Sequence, residues 1–568
     1  MWLQSLNQDV RFALRQLRKS PGFTAAAVLS LAIGIGANTA IFSSMDAVVL
    51  RPLAVPRLDR VMTAAEQQNG GDAKPVTLAD YRDWSRESRS FGQMAAYNVR
   101  TMSLTGAGDA SHVDVSRTTP SFFDVFQTPA LMGRVFTADE ATQGKDAVAV
   151  LSYGFWTRRF AADPAVLGRR VQLDQREYTV VGVMPKTMQY PATADLFVPL
   201  VATAQQMADR TAHEYMVVGR LREGVSVRQA QDELRETATR LAQAYPASNR
   251  GWSTKVEPLL DIINGDLTPM YYKLIMGATL FVLLVVCANV ANLQMARGLA
   301  RRPEVAMRTA LGASRVRILR QLLTENVLLA LFGSLGGVIF ASLYLKVTLW
   351  AMPERIAHYM SGWASISING RALGFSLLLA GLAGVVAGFA PAAESLRVNL
   401  VDQLKAGSRS ALGARGNKLR SIFAVAQIAL AVALVIGAVL MAKGMNSMLH
   451  WADVYDPGHA LTLSVTLPEA RYDTTAKRAQ WYAAALERLR VLPGVKSAEV
   501  TTNLPYRDFG WLQDVAIENR PAMPGKAQSA LRMPVSQGYF NAFHVRVVDG
   551  RGFNSSDTLE STPVAVVS

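Results

Sequence analysis

The chain has 568 residues, half of them apolar, with a mean hydropathy of +0.15 and a formal net charge of +15 at pH 7. That hydropathy is too high for an ordinary soluble protein and too low for a chain made mostly of membrane spans. It calls for a few spans joined to large water-exposed domains. The single cysteine, Cys287, lies in an apolar run, so an internal disulfide framework is excluded and the residue reads as a small buried hydrophobe.

Residues 1–22 read as a cytoplasmic amphipathic helix. Leu3, Leu6, Val10, Leu14 and Leu17 recur at helical spacing, with Arg11, Arg15, Arg18 and Lys19 largely off that stripe. Such a helix suits the surface of the inner leaflet. The run 23–50 then supplies the roughly 20 apolar residues that a bilayer core requires. It is too long for a signal-peptide core and lacks a small-residue cleavage site, so it reads as a retained span. Four further spans are predicted at 273–296, 327–350, 373–393 and 421–442.

Lys and Arg beside the spans fix the orientation. Arg297, Arg301, Arg302, Arg308, Arg315, Arg317 and Arg320 crowd the loop 297–326. Arg397, Lys405, Arg409, Arg415, Lys418 and Arg420 crowd the linker 394–420, whereas the loop 351–372 holds only Arg355 and Arg371. The N-terminus, the 297–326 loop and the linker are therefore expected inside, and residues 51–272, 351–372 and 443–568 outside. Much of the basic excess thus belongs to the cytoplasmic face, which argues against nucleic acid as a partner.

The outer segment 51–272 reads as α+β. Val148–Leu151, Val171–Leu173, Tyr178–Met184 and Tyr215–Leu221 have the β-branched content of strands. Ser226 with Gln229 marks a capping box, opening a helix with Val227, Ala230, Leu234, Leu241 and Tyr245 on its apolar face. His112 and His213 stand apart from other ligand types and read as structural or solvated. The segment 443–568 is expected to hold a β-α-β unit: strand Leu461–Leu467, a helix from Thr475 to Leu492, and strand Val495–Thr501.

The two outer segments are related. SFFDVFQTPALMGRVFTADEA (Ser121–Ala141) followed by VAVLS (Val148–Ser152) matches GYFNAFHVRVVDGRGFNSSDT (Gly538–Thr558) followed by VAVVS (Val564–Ser568). Phe123, Phe126, Gly133, Arg134 and Phe136 align with Phe540, Phe543, Gly550, Arg551 and Phe553, as an internal duplication of span plus outer domain would produce. The second copy stops partway, so the sequence is read as a fragment or truncated product lacking about three further spans.

Between the second and third spans the chain reads NVANLQMARGLARRPEVAMRTALGASRVRILRQLLTE (Asn289–Glu325). A short helix is expected to start near Pro303, which fits a first helical position, and to end at Gly312, which suits a left-handed cap. Ser314 can cap the next helix, with Val316, Leu319, Leu322 and Leu323 along one side. A short rigid helix held between two spans is what a mechanical coupling element needs; the alternative is an ordinary positive-inside loop. Elsewhere, Gly333 with Gly337 and Gly384 with Gly388 would let helices pack closely. Asn38, Asn289, Asn292 and Gln427 read as interhelix hydrogen-bonding groups, and Asp46 as interfacial. No G-x-x-x-x-G-K-[ST] phosphate loop and no catalytic or zinc-type spacing occurs in these 568 residues.

The stretch Glu304, Val305, Ala306, Arg308, Ala310, Leu311 and Gly312, within E-x-A-x-R-x-A-L-G-A, resembles the coupling-helix region of FtsX-like permeases of the macrolide-exporter (MacB) type. LSYGFWTRRFAADPAVLGRRVQLD (Leu151–Asp174), YTVVGVMP (Tyr178–Pro185) and DLFVPL (Asp195–Leu200) are similar to that family's periplasmic core domain. GFAPAAESLRVNLVDQLKAG (Gly388–Gly407) and LRSIFAVAQIALAVALVIGAVL (Leu419–Leu440) extend the likeness. RQLRKSPGFT (Arg15–Thr24) and the duplication resemble the duplicated orphan permeases more narrowly; Pro303 departs from the charged residue usual there. The resemblance implies an α-helical membrane protein of about five spans with α+β extracytoplasmic domains, in the bacterial inner membrane. It implies a non-enzymatic ABC permease without a cofactor, working as a mechanotransmitter for export of a drug, peptide or lipid-like cargo. The implied partners are an ABC ATP-binding subunit in trans, membrane lipids, and a second permease copy or a periplasmic adaptor. The alternative within the family is a non-transporting transmitter that activates periplasmic proteins such as cell-wall hydrolases.

Overall fold

The computed structural model describes residues 2–106, 110–310, 314–353, 360–395, 413–450, 459–467, 471–472, 474–504, 511–515, 517–518, 529–558 and 560–568. The chain begins with α1 (Trp2–Arg18) and α2 (Pro21–Met45), the latter ending in a π-helical turn, Asp46–Leu50. Then come β1 (Val61–Gln68), β2 (Ala73–Lys74), α3 (Leu78–Glu87), β3 (Phe91–Thr105), β4 (Ser111–Thr118), α4 (Phe122–Phe126), β5 (Met132–Gly133) and β6 (Val148–Leu151). They are followed by α5 (Tyr153–Phe160), β7 (Arg170–Leu173), β8 (Arg176–Val183), β9 (Leu196–Pro199), α6 (Ala204–Ala208), β10 (Met216–Leu221), α7 (Val227–Ala244), α8 (Pro246–Asn249), β11 (Trp252–Pro258) and α9 (Leu259–Asn264). The long helices α10 (Leu267–Ala310), α11 (Arg315–Ala351), α12 (Gly370–Ser395) and α13 (Gly413–His450) come next. The described chain closes with α14 (Thr475–Arg490), β12 (Trp511–Asp514), β13 (Ser529–Arg532) and α15 (Tyr539–Ala542).

Two compact units result. The first comprises Met1–Ala54 with Ile263–Met441. Among the described residues five helical stretches are long and apolar enough to cross a membrane: Pro21–Leu50, Leu267–Arg297, Leu319–Ala351, Gly370–Phe389 and Ala424–Gly444. The first four pack around Leu31, Ile35, Leu283, Val286, Leu329 and Ala380. Small residues set the spacing: a Cβ on Gly36 would lie 2.7 Å from the Gly337 carbonyl oxygen, and one on Gly384 would lie 2.8 Å from Val327 Cα. The Asn38 amide donates across to Thr279 O at 2.8 Å, as expected of an interhelix group. Asn292 Oδ1 and Gln427 Nε2, by contrast, are buried without a partner. Cys287 is buried, as read from sequence.

The second unit comprises Val55–Ile262 with Ala442–Ser568. Its main sheet has the order β11-β1-β10-β3-β4-β9-β6-β8-β5, antiparallel except where β4 meets β9 and β6 meets β8. One core joins α3 and α7 to the sheet through Trp84, Leu78, Leu234, Met62 and Val217. A second lies around Leu104, Leu151, Trp156, Leu173 and Leu196. Helix α7 forms where its capping box starts it, with Gln229 N donating to Ser226 Oγ and Ser226 N to Gln229 Oε1 at 2.8 Å. Its face of Ala230, Leu234, Thr237 and Leu241 is buried, whereas Tyr245 stays half-exposed under the Arg210 guanidinium.

His213 is not solvated. Its ring stacks on Trp252 at 4.0 Å and its Nδ1 meets the buried Glu66. Burial, reinforced by neighbouring Asp80, pushes the Glu66 carboxyl up to about 10, so it is held neutral. Its second oxygen is buried without a hydrogen-bond partner among the described residues, where a carboxylate charge would be uncompensated. Asp80 is covered by Arg210 and by Asn249 Nδ2 at 2.8 Å.

The β-α-β reading of 443–568 is corrected. The helix is present as α14, but Leu461–Leu467 and Val495–Thr501 are not strands, apart from an isolated bridge between Thr501 and Val535; the described strands there are β12 and β13. A strand is a product of its partners. Val61–Gln68, which follows the first span as Leu461–Leu467 follows the fifth, is a strand because β10 and β11 pair with its two edges. No described segment plays that part for Leu461, which is 93% exposed.

Candidate functional site

Helix α10 carries the chain straight from the second span into the coupling region. Its apolar, span-like part ends at Arg297, and residues 298–310 continue the same helix, about 20 Å further at 1.5 Å per residue. The separate short helix expected from Pro303 is therefore corrected. Met295, Leu299, Ala300, Arg301 and Arg302 before it, and Ala306 and Met307 after it, are strong helix formers that carry the helix through the proline. Glu304, Val305, Ala306, Arg308 and Ala310 lie in the last turns of α10. Leu311 and Gly312 lie outside the described residues, as does the left-handed cap expected at Gly312. Ser314 caps α11 by accepting from Arg317 N, as its sequence position foretold. Two apolar side chains flank this turn in the open: Met307 on α10, 65% exposed, and Val316 on α11, 74% exposed.

Near the start of the coupling region, α10 and α11 are tied by charges that sequence reasoning did not assign. Arg297 pairs with Glu325 on α11 at 3.0 Å, donates to Gln16 O at 3.0 Å and Ser20 Oγ at 2.9 Å, and lies 4.8 Å above the Phe23 ring. One guanidinium thus joins α10, α11 and the α1–α2 corner. Arg320 on α11 meets Asp9 on α1 at 2.7 Å, and Gln294 Nε2 donates to Asn326 Oδ1 at 3.1 Å. Asp9, Ala13 and Leu17 form the buried stripe of α1 and Leu14 stays partly exposed, so the apolar stripe read for the inner leaflet is shared with protein packing. A signal was available in the sequence: Asp9 and Glu325 are lone acids in long stretches that otherwise hold only basic charges. Removing one partner of a buried pair typically costs about 3–5 kcal/mol, because the other charge is left uncompensated.

At the opposite end of the same bundle, Asp46, near the end of the first span, is buried against protein. It accepts from Arg51, from Asn369 Nδ2 at 2.8 Å and from Arg371 at 3.4 Å. Asn264 Nδ2 donates to Val49 O at 3.0 Å, and a Cβ on Gly362 would lie 2.1 Å from Ala47 O. Both ends of the first span are therefore fixed to the helices beside them. Among the described residues no cluster of His, Cys, Asp or Glu could hold a metal ion.

Two family models match the chain: the MacB-like periplasmic core domain over residues 24–237 and the FtsX-like permease C-terminal domain over residues 276–400. Similar curated proteins include a macrolide export ATP-binding/permease protein MacB of Bdellovibrio bacteriovorus. It is 23% identical over 393 residues, covering 67% of this chain and 57% of that protein. A pyoverdine export ATP-binding/permease protein PvdT of Pseudomonas syringae pv. tomato is 26% identical over 396 residues, covering 67% and 55%. The chain spans a little over half the length of these relatives. Among solved structures, the periplasmic region of MacB from Actinobacillus actinomycetemcomitans aligns with TM-score 0.30 and 15% identity, over 40% of this chain and 97% of that one.

Proposed function

This chain belongs to the FtsX-like, MacB-type permeases, and on that premise we propose that it is the permease subunit of an ABC transporter. In this reading the N-terminus, the 297–326 loop and the 394–420 linker are cytoplasmic, and the domains at 51–272 and 443–568 are periplasmic, at the bacterial inner membrane. An ATP-binding subunit on another polypeptide docks on Glu304–Gly312. Its ATP-driven closure pushes the α10–α11 hairpin, and the spans pass that motion to the outer domains, which expel a drug, peptide or lipid-like cargo. The chain itself performs no chemistry.

Two observations support this: Met307 near the end of α10 and Val316 near the start of α11 are exposed, and Arg297 bonds to three helical segments. A push on an exposed apolar tip is transmitted only if the base cannot give, and a guanidinium bonded at once to the buried Glu325, to Gln16 O and to Ser20 supplies that stiffness. Co-purification from native membranes with and without ATP, read by mass spectrometry, tests the reading. An ABC nucleotide-binding subunit at about one-to-one is expected, and Leu311→Asp should abolish its association while the chain stays folded. Reproducible absence of such a subunit beside well-folded chain would overturn it.

A further inference from the structure

The sequence assigns the apolar stripe of α1 to the leaflet surface, but the structure turns the buried edge of this helix, Asp9, Ala13 and Leu17, onto the helix bundle. The opposite face is exposed and carries Arg11, Arg15 and Arg18, with Lys19 just beyond the helix end. At 3.6 residues per turn the three arginines fall within an arc of about 60°. Asp9 is the sole acid in residues 1–45, and Arg320 takes it at 2.7 Å. Glu325 is taken by Arg297. Among the described residues, Arg11, Arg15, Arg18 and Lys19 have no ion-pair partner.

Two ties fix the height of this face. Asp9 pairs with Arg320, next to Leu319, where the third span begins. About 10 Å further along α1, Gln16 O accepts from Arg297, where the second span ends, and Ser20 Oγ accepts from the same group. The first span begins at Pro21. Helix α1 therefore runs along the level at which three spans meet the membrane surface, where lipid phosphates lie. The alignment of its cations is unfavourable for the helix itself, since Arg11 and Arg15 are like charges at i,i+4 and Arg15 and Arg18 at i,i+3. The helix dipole favours Arg15 and Arg18 in the last turn, but Arg11 lies about two turns before the end. The orientation rule accounts for basic residues on this side of the membrane and is indifferent to the face they occupy. A layer of phosphate anions offsets all four cations at once.

We propose that α1 is a docking surface for anionic phospholipid, with Arg11, Arg15, Arg18 and Lys19 seated on headgroup phosphates of the leaflet at which the first span begins. Long basic side chains reach that layer while their stems stay along apolar surface. The contact is electrostatic and not an insertion of apolar side chains, so it depends on lipid charge and on salt. It rests on the chain's spanning a membrane and is independent of the transport reading.

The test uses the full chain in nanodiscs of phosphatidylglycerol or of phosphatidylcholine, with hydrogen exchange followed in peptides covering residues 8–19. Exchange should be slower in phosphatidylglycerol, and salt at about 1 M, where the Debye length is about 3 Å, should erase the difference. Arg15→Gln alters one exposed residue and should shrink the ratio of the two rates about fivefold. Arg11→Gln, Arg15→Gln and Arg18→Gln combined should bring the ratio to one, while peptides from α2 exchange as in wild type. If α2 loosens in that triple variant, Arg15→Gln alone decides. Leu14→Ala should leave the ratio unchanged. Equal exchange in the two lipids would overturn the proposal, as would a ratio that follows Leu14→Ala, the mark of apolar insertion. A ratio that survives in a well-folded triple variant would also overturn it, and loss of a co-purifying soluble protein from that variant would then assign the stripe to a protein partner.

Discussion

Residues 121–141 and 538–558 form the same turn twice, and they differ in what surrounds it. In each copy a short aromatic helix ends on a left-handed residue, Gln127 at φ 50° and His544 at φ 54°. Each then passes a left-handed glycine, Gly133 at φ 69° and Gly550 at φ 75°. Arg134 pairs with Glu140 at 2.6 Å, and Arg551 with Asp557 at 2.7 Å. Each carboxylate also accepts a backbone N–H at 2.8 Å, from Thr137 and Asn554 respectively. Even the rings correspond, with Phe123 and Phe136 5.5 Å apart and Phe540 and Phe553 5.9 Å apart. The first copy is enclosed: Phe122 and Phe126 are fully buried, and β5 pairs with β8. In the second, Val548 is 93% exposed and nothing lies within 4 Å of a Cβ built on Gly550. The turn is thus written locally, by two left-handed positions and one ion pair, whereas its enclosure depends on strands far away in sequence.

The largest effect that would sharpen this contrast is at the rings. Phe123 touches Phe122, Phe136 and Phe197 in a closed cluster, so Phe123→Ala should cost about 3–5 kcal/mol of local stability. Phe540 is only partly buried, beside Tyr539 and Phe553, and Phe540→Ala should cost about 1 kcal/mol. Hydrogen exchange of the full chain, followed in peptides covering each turn, measures both. Equal losses would mean that the second turn is as enclosed as the first.

A smaller effect is expected at the glycines. A Cβ on Gly133 would lie 2.2 Å from Val181 O, and the neighbouring bonds Leu131 N to Val183 O and Arg134 N to Val181 O would have to give. With the strain of a left-handed alanine added, Gly133→Ala should cost about 2–4 kcal/mol. Gly550→Ala meets only the backbone term, about 1 kcal/mol. A thermal-unfolding shift of similar size for both variants would break the comparison.

What was legible in the sequence follows the same division between local and distant causes. The five spans, the Ser226 capping box, the Ser314 cap and strands such as Val148–Leu151 rest on nearby residues, and the structure has them. Strands β1, β3, β4 and β11 went unread; β3 buries five consecutive residues, Met94 to Asn98, so the alternation that marks a half-buried strand is missing there. Leu461–Leu467 was misread because its β-branched content was taken without a partner. At the candidate site the motif itself was legible, but the continuity of α10 through Pro303 and the Arg297–Glu325 and Arg320–Asp9 pairs were not. A basic residue at a span end satisfies the orientation rule whether or not it is paired, so the pairing shows only in three dimensions.

The smallest effect expected is electrostatic, and its sign is fixed. The hydrogen bond from Arg134 holds the Glu140 carboxyl below its ordinary range, and that from Arg551 draws Asp557 down to about 2. For a carboxyl depressed in the folded state, the stabilising contribution is present above its unfolded pKa, about 4.3 for Glu and 3.9 for Asp, and is lost as pH falls through the folded value. Both pairs have a half-exposed arginine, so each is worth little. In the enclosed copy the β5–β8 ladder and the ring cluster should hold the turn after the pair is lost. In the open copy the pair is one of few restraints. Protection of amides in 549–558 should therefore fall between pH 4 and pH 2, after correction for intrinsic exchange, while that of 132–141 changes far less. Asp557→Asn should reproduce the acid state at neutral pH and flatten the profile. If instead the two turns loosened together on acidification, the ion pair would be setting both, and enclosure would not be what separates them.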